Sequence, residues 1–127
     1  MAHNSRPILS GQRFLVAEDE TIIAMLINDV IEWCGGTVVA TATSCSEVIV
    51  ALGMHALDVI ILDVHLRDGS SEAIVAVAQS NNVAVLVCTG SDPKTLPLAF
   101  RNLPVLNKPC QRDDLVQAMA KLIAMAD

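Results

Sequence analysis

The sequence predicts an α/β fold, with five parallel strands in one sheet and helices on both faces. Three observations carry this. Short apolar runs rich in branched residues alternate with helical patterns. No run alternates polar with apolar residues, which marks strands buried on both faces. The runs start near residues 14, 37, 59, 83 and 104, in steps of 23, 22, 24 and 21 residues. Each step holds one strand, one helix and two short loops, so the connections are right-handed crossovers.

The strand runs are residues 14–17, 38–40, 59–62, 83–87 and 105–106. The first helix places Ile23, Leu26, Ile27, Val30 and Cys34 on one stripe, and Gly35-Gly36 stops it. The second opens on Ser44 and Glu47, spaced as a capping box. The third covers 71–79. The last, 114–125, aligns Leu115, Ala118, Met119 and Leu122. Asp92-Pro93 resembles a helix start, but Pro97 falls inside and costs about 3 kcal/mol in a helix interior. A short or irregular element is therefore expected over 93–101. Residues 1–11 are expected to be a loosely held tail, and 12–127 a single domain.

Composition narrows the function. Of 127 residues, 53% are hydrophobic and 17% charged, which excludes disorder as the dominant state. The net charge of −6 argues against direct binding to nucleic acid or an anionic membrane. Phe14, Trp33 and Phe100 are the only aromatic residues, too few for a base-stacking platform. No apolar run reaches the length of about 18 residues that spans a bilayer, and the polar start is not a signal peptide. The expectation is a cytoplasmic protein. Cys34, Cys45, Cys88 and Cys110 fit no zinc spacing and read as reduced thiols, mostly packing.

Ligands of open α/β sheets sit at the carboxyl ends of the strands. Here the first strand ends in Glu18-Asp19-Glu20 and the third in Asp63. The fourth ends in Thr89-Gly90, and Lys108-Pro109 follows the fifth. If the first and third strands are neighbours, Asp19 and Asp63 converge. Two carboxylates about 5 Å apart repel by roughly 3 kcal/mol at an effective dielectric of about 20. Such a cluster takes up a proton or a cation, and Mg²⁺ suits two carboxylates plus waters. Any one of these residues is more often an ordinary loop acid, strand-end hydroxyl or surface lysine; the signal is four strand ends agreeing at once.

These residues resemble the receiver domain of bacterial two-component response regulators. The resemblance rests on residues 14–20 (FLVAEDE), residues 60–66 (IILDVHL) with Asp68-Gly69, Cys88-Thr89-Gly90 and Asn107-Lys108-Pro109, and it spans about 12–125. It implies a flavodoxin-like (βα)5 doubly wound sheet with strand order 2-1-3-4-5. It implies Asp63 as phosphoacceptor. Mg²⁺ would be bound by Glu18, Asp19, Asp63 and the backbone carbonyl of His65. Thr89 would be the switch hydroxyl, Lys108 the phosphate-pairing lysine, and the Lys108–Pro109 peptide cis. Val105 stands where the family usually carries an aromatic switch residue. The implied function is a stand-alone receiver, not a classical enzyme, with self-catalysed phosphotransfer and autodephosphorylation. It would take phosphate from a histidine kinase or phosphotransfer protein. It would then signal through the face of the fourth helix, fifth strand and last helix, or relay or drain the phosphate. Self-association through that face stays open. Two alternatives stand beside it. A pseudo-receiver docking module draws on Val105. An aspartyl-phosphate phosphohydrolase would want its nucleophile after the first strand with a second aspartate two residues on, a spacing Glu18-Asp19-Glu20 lacks.

Overall fold

The computed structural model describes residues 7–126. Five parallel strands form the sheet: β1 (Arg13–Ala17), β2 (Thr37–Ala42), β3 (Val59–Leu62), β4 (Ala84–Thr89) and β5 (Val105–Asn107). Their order is β2-β1-β3-β4-β5, the flavodoxin-like order expected. The helices are α1 (Thr21–Trp33), α2 (Cys45–Met54), α3 (Glu72–Ser80) and α4 (Arg112–Ala126). A two-stranded hairpin, His65–Leu66 with Gly69–Ser70, lies between β3 and α3.

Residue parity within the strands builds two cores. Phe14 and Val16, Val59 and Ile61, and Leu86 and Cys88 face α1 and α4. Leu15 and Ala17, Ile60 and Leu62, and Val85 and Val87 face α2 and α3. Side chains alternate across a pleated strand, so an unbroken apolar run feeds both layers.

Helix ends follow local chemistry. The Ser44 side chain accepts from Glu47 N at 3.2 Å. Glu47 reaches one residue further back than a capping box requires. Its carboxylate accepts from Thr43 N at 2.7 Å and from the Thr43 hydroxyl at 2.9 Å. Gly35, at φ +88°, ends α1 in the left-handed conformation that glycine adopts without strain. A Cβ on Gly36 would stand 2.8 Å from Ile31 Cγ2 and 3.1 Å from Phe14 Cε1, so the chain can turn into β2 only without a side chain there.

The structure refines the reading at three places. The buried stripe of α1 is Ala24, Ile27, Ile31 and Cys34, whereas Leu26 is 60% exposed and Ile23 and Val30 are half-buried. A helix that is apolar on most of its surface leaves its rotation undetermined, and the packing against β1 and β3 sets it. Part of the expected tail is packed. Residues 1–6 lie outside the described residues, but Pro7–Leu9 form a 3-10 turn, Leu9 is fully buried, and its N–H donates to Cys34 O at 2.9 Å. The fourth helix is replaced by two 3-10 turns, Pro93–Thr95 and Leu98–Phe100, as Pro97 suggested. The face expected to carry a fourth helix therefore presents Leu98, β5 and α4 instead.

Candidate functional site at the carboxyl edge of the sheet

The first turn after β1 brings three acids together. One carboxylate oxygen from each of Glu18, Asp19 and Glu20 lies within 4.8 Å of the others. Glu18 is 2% exposed, and its Oε2 accepts from Glu20 N at 3.1 Å. Asp63, directly after β3, is buried, and its N–H donates to Ala17 O at 3.1 Å. That bond carries the β1–β3 pairing one residue past the strand end, which places Asp63 beside the acids of β1.

Lys108 joins the two groups. Its Nζ donates to Asp63 Oδ2 at 2.7 Å, contacts Glu18 Oε1, and lies 3.8 Å from Glu20 Oε1. The Lys108–Pro109 peptide is cis, and Lys108 N donates to Thr89 O at 2.8 Å, which ties the loop after β5 to the end of β4.

The electrostatics follow from burial. Desolvation raises the pKa of Glu18 above the usual glutamate range, against the hydrogen bonds from Lys108 and Glu20 that lower it. Burial opposes the charge on Lys108, but hydrogen bonds to Asp63 and Glu18 outweigh it and raise its pKa. Glu18 Oε1 is buried, and the Lys108 ammonium is its partner. The clustered carboxylate oxygens of Glu18, Asp19 and Glu20, oxygen donors alone, fit a hard divalent cation such as Mg²⁺.

Thr89 is 1% exposed, and its Oγ1 accepts from Ser91 N at 3.1 Å. Val105 pairs with Val87 and packs half-buried against the α2–α3 core. The hairpin bearing His65 is fixed to α2. Asp68 Oδ1 accepts from Cys45 N at 2.7 Å and Oδ2 from Ser46 N at 3.2 Å, and Arg67 N donates to Thr43 O. Those bonds hold the Asp68 carboxyl below the usual aspartate range, the Cys45 N–H foremost. Glu18 and Asp63 thus meet on Lys108, Asp19 clusters with Glu18, and Thr89 is tied in through the Lys108 backbone, while His65 lies on the hairpin that follows Asp63. Glu20 joins them, although its place next to Asp19 was the only hint in the sequence.

Beside the site lies a groove of about 630 Å³ between α1 and the loop after β5, lined by Leu26, Val30, Lys108, Cys110 and Leu115 among others. Cys88 borders it. Burial foremost, with the neighbouring Cys110 thiol, pushes the Cys88 pKa up to about 12. The unfolded chain therefore loses the Cys88 proton near pH 9 and the folded chain does not. This contribution is fully present below pH 9 and fades as pH rises toward 12. Urea titrations of the reduced protein should show stability falling by roughly 1 kcal/mol per pH unit more steeply in the wild type than in Cys88→Ala. Parallel slopes would contradict the assignment.

An open parallel sheet with acids, an aspartate, a hydroxyl and a lysine on its carboxyl edge defines a receiver-type domain. The model of the response regulator receiver domain matches residues 14–120, and the chain belongs to that family. SdrG from Sphingomonas melonis Fr1 is similar in structure, with a TM-score of 0.77, 31% identity, and coverage of 91% of this chain and 98% of that one. The response regulator PhyR from Brucella abortus gives a TM-score of 0.81 and 26% identity over 94% of this chain and 51% of that chain, about half its length. The receiver domain of PhyR from Erythrobacter litoralis gives 0.74 and 25%, covering 92% and 90%. No curated protein matches the chain. No helix among the described residues is long and apolar enough to cross a membrane.

Proposed function

We propose that the chain is a phosphoacceptor receiver that takes a phosphoryl group onto Asp63 from a histidine kinase or a histidine phosphotransfer protein. Glu18, Asp19, Asp63 and the His65 carbonyl would hold Mg²⁺, and Glu20 shares the acid cluster. The ion supplies neutralisation of charge on the phosphoryl oxygens. A carboxylate oxygen of Asp63 attacks phosphorus, the bond to the donor nitrogen breaks, and an acyl phosphate forms. Water later hydrolyses it. Lys108, already on Asp63 Oδ2, pairs with the new dianion. The Thr89 hydroxyl leaves Ser91 N to donate to a phosphoryl oxygen. Val105 has no ring to follow that turn, so the change passes through the Thr89 and Lys108 backbones, which Lys108 N joins to Thr89 O. The groove on α1 fits the apolar side of a donor whose phosphohistidine must reach Asp63. The surface of Leu98, β5 and α4 is the output side.

The contact of Lys108 with both Asp63 and Glu18 carries this reading, because it marks one buried aspartate out as paired to a cation beside a buried glutamate. Intact-mass measurement after incubation with acetyl phosphate and Mg²⁺ tests it. The wild type should gain one phosphoryl group, mapped to Asp63, and Asp63→Asn none. Label on the Asp63→Asn protein would refute it.

A further inference from the structure

We propose that Ser71 is a positioning residue: its buried hydroxyl fixes the backbone that carries Asp63 and leads to the His65 carbonyl. The inference rests on the phosphoacceptor reading and adds to it a residue outside the acid cluster.

Ser71 stands directly before α3, where a serine hydroxyl ordinarily accepts from the N–H groups of the first helical turn. Ser44 does so at the start of α2, and Ser71 does not. Its Oγ donates to Asp63 O at 2.6 Å and lies 3.1 Å from Val64 O. A hydroxyl has one proton, and the shorter contact takes it. Val64 O accepts instead from Ser71 N at 2.8 Å. The start of α3 is served by other groups. Ser70 Oγ accepts from Glu72 N at 3.2 Å, and Ser71 O accepts from Ile74 N at 2.9 Å. Ser71 is fully buried, so solvent does not compete for its proton.

The two peptide groups that flank Asp63 Cα are thereby both fixed. The one before it donates to Ala17 O at 3.1 Å, and the one after it accepts from Ser71. With φ and ψ held, the carboxylate keeps only its two side-chain torsions, and Lys108 holds Oδ2 at 2.7 Å. The same bonds anchor the hairpin. Ser71 holds Val64 at its start, His65 pairs with Ser70, and Asp68 ties the tip to Cys45 N and Ser46 N. His65 thus sits between an anchor at α3 and one at α2. A donor set held in this way needs little ordering when a cation or a phosphoryl group arrives, and affinity and rate both rise accordingly.

Ser71→Ala and Ser71→Gly remove the hydroxyl and leave the backbone donors and acceptors in place. Ile31→Val, in the core on the other side of the sheet, is the control for lost stability. The Asp63 carbonyl carbon resonance should move upfield in both Ser71 variants and stay in place in Ile31→Val. The Kd for Mg²⁺, read from the amide shifts of Val64 and His65, should rise about tenfold in the Ser71 variants. Their rate of Asp63 phosphorylation by acetyl phosphate at saturating Mg²⁺ should fall about tenfold, with Ile31→Val at the wild-type rate. An unmoved carbonyl resonance, or a Kd and a rate equal to wild type, would overturn the role of Ser71. So would the same losses in Ile31→Val. If the wild type takes no phosphoryl group while the Ser71 variants bind Mg²⁺ more weakly, the phosphoacceptor reading falls and the positioning of the metal ligands stands.

Discussion

Lys108→Met should lower the thermal midpoint of the metal-free protein by about 10 °C, equivalent to about 3 kcal/mol, and millimolar Mg²⁺ should restore most of the loss. The side chain of Lys108 is 13% exposed and those of its partners Glu18 and Asp63 only 2% and 10%. Solvent therefore screens this triad weakly. Removing one partner of a buried pair costs about 3–5 kcal/mol, because the remaining charge is left without compensation. Proton uptake by Glu18, whose pKa burial already raises, holds the loss near the lower end. The same shift fixes the pH dependence. The folded chain binds the Glu18 proton more tightly than the unfolded chain. The contribution is thus fully present below the ordinary glutamate pKa and fades as pH rises through the raised one. The variant should lie closest to wild type at acid pH and furthest from it at neutral pH. Thermal melts in EDTA and in Mg²⁺, at pH 5 and pH 8, check this. Equal midpoints for the two proteins in EDTA would remove the ion triad from the account.

Phe100→Ala should cost about 3–5 kcal/mol in urea denaturation, among the largest losses from any single truncation in the chain. Phe100 is fully buried in the α2–α3 core with Leu96. The segment around it has little else to hold it. Its two 3-10 turns are short, and Pro93 and Pro97 offer no N–H. Burial of Leu96 and Phe100 thus supplies the order that a helical ladder would supply elsewhere. The amides of Phe100 and Arg101, which donate to Pro97 O and Leu98 O, should lose protection before the central strands do. A loss below about 1 kcal/mol would show that the pocket left by the ring collapses freely.

The site was legible because its chemistry sits where apolar runs stop. Asp63 follows Ile60-Ile61-Leu62, and Glu18 and Asp19 follow Val16-Ala17, so strand ends could be read directly as positions on one rim. Lys108 was legible only through its motif, since a lone lysine after a short strand carries no direction. Its contact with both Glu18 and Asp63 depends on how the loop after β5 folds back, which no spacing encodes. Glu20 was passed over for a related reason. It is 65% exposed, and its approach to the cluster comes from the turn into α1 rather than from a strand.

The pattern of doubly apolar runs at regular steps determined the sheet, its layers and the edge that bears the acids, because burial on both faces leaves a parallel strand few other places to go. The irregular segment over 93–101 was likewise determined locally, by Pro97. Only the tertiary structure decided the rotation of α1, the packing of Leu9 and the fixing of the hairpin by Asp68. Each of these depends on which of several similar surfaces meets a distant partner. A helix apolar on most of its surface offers too many equivalent contacts for local order to choose between them.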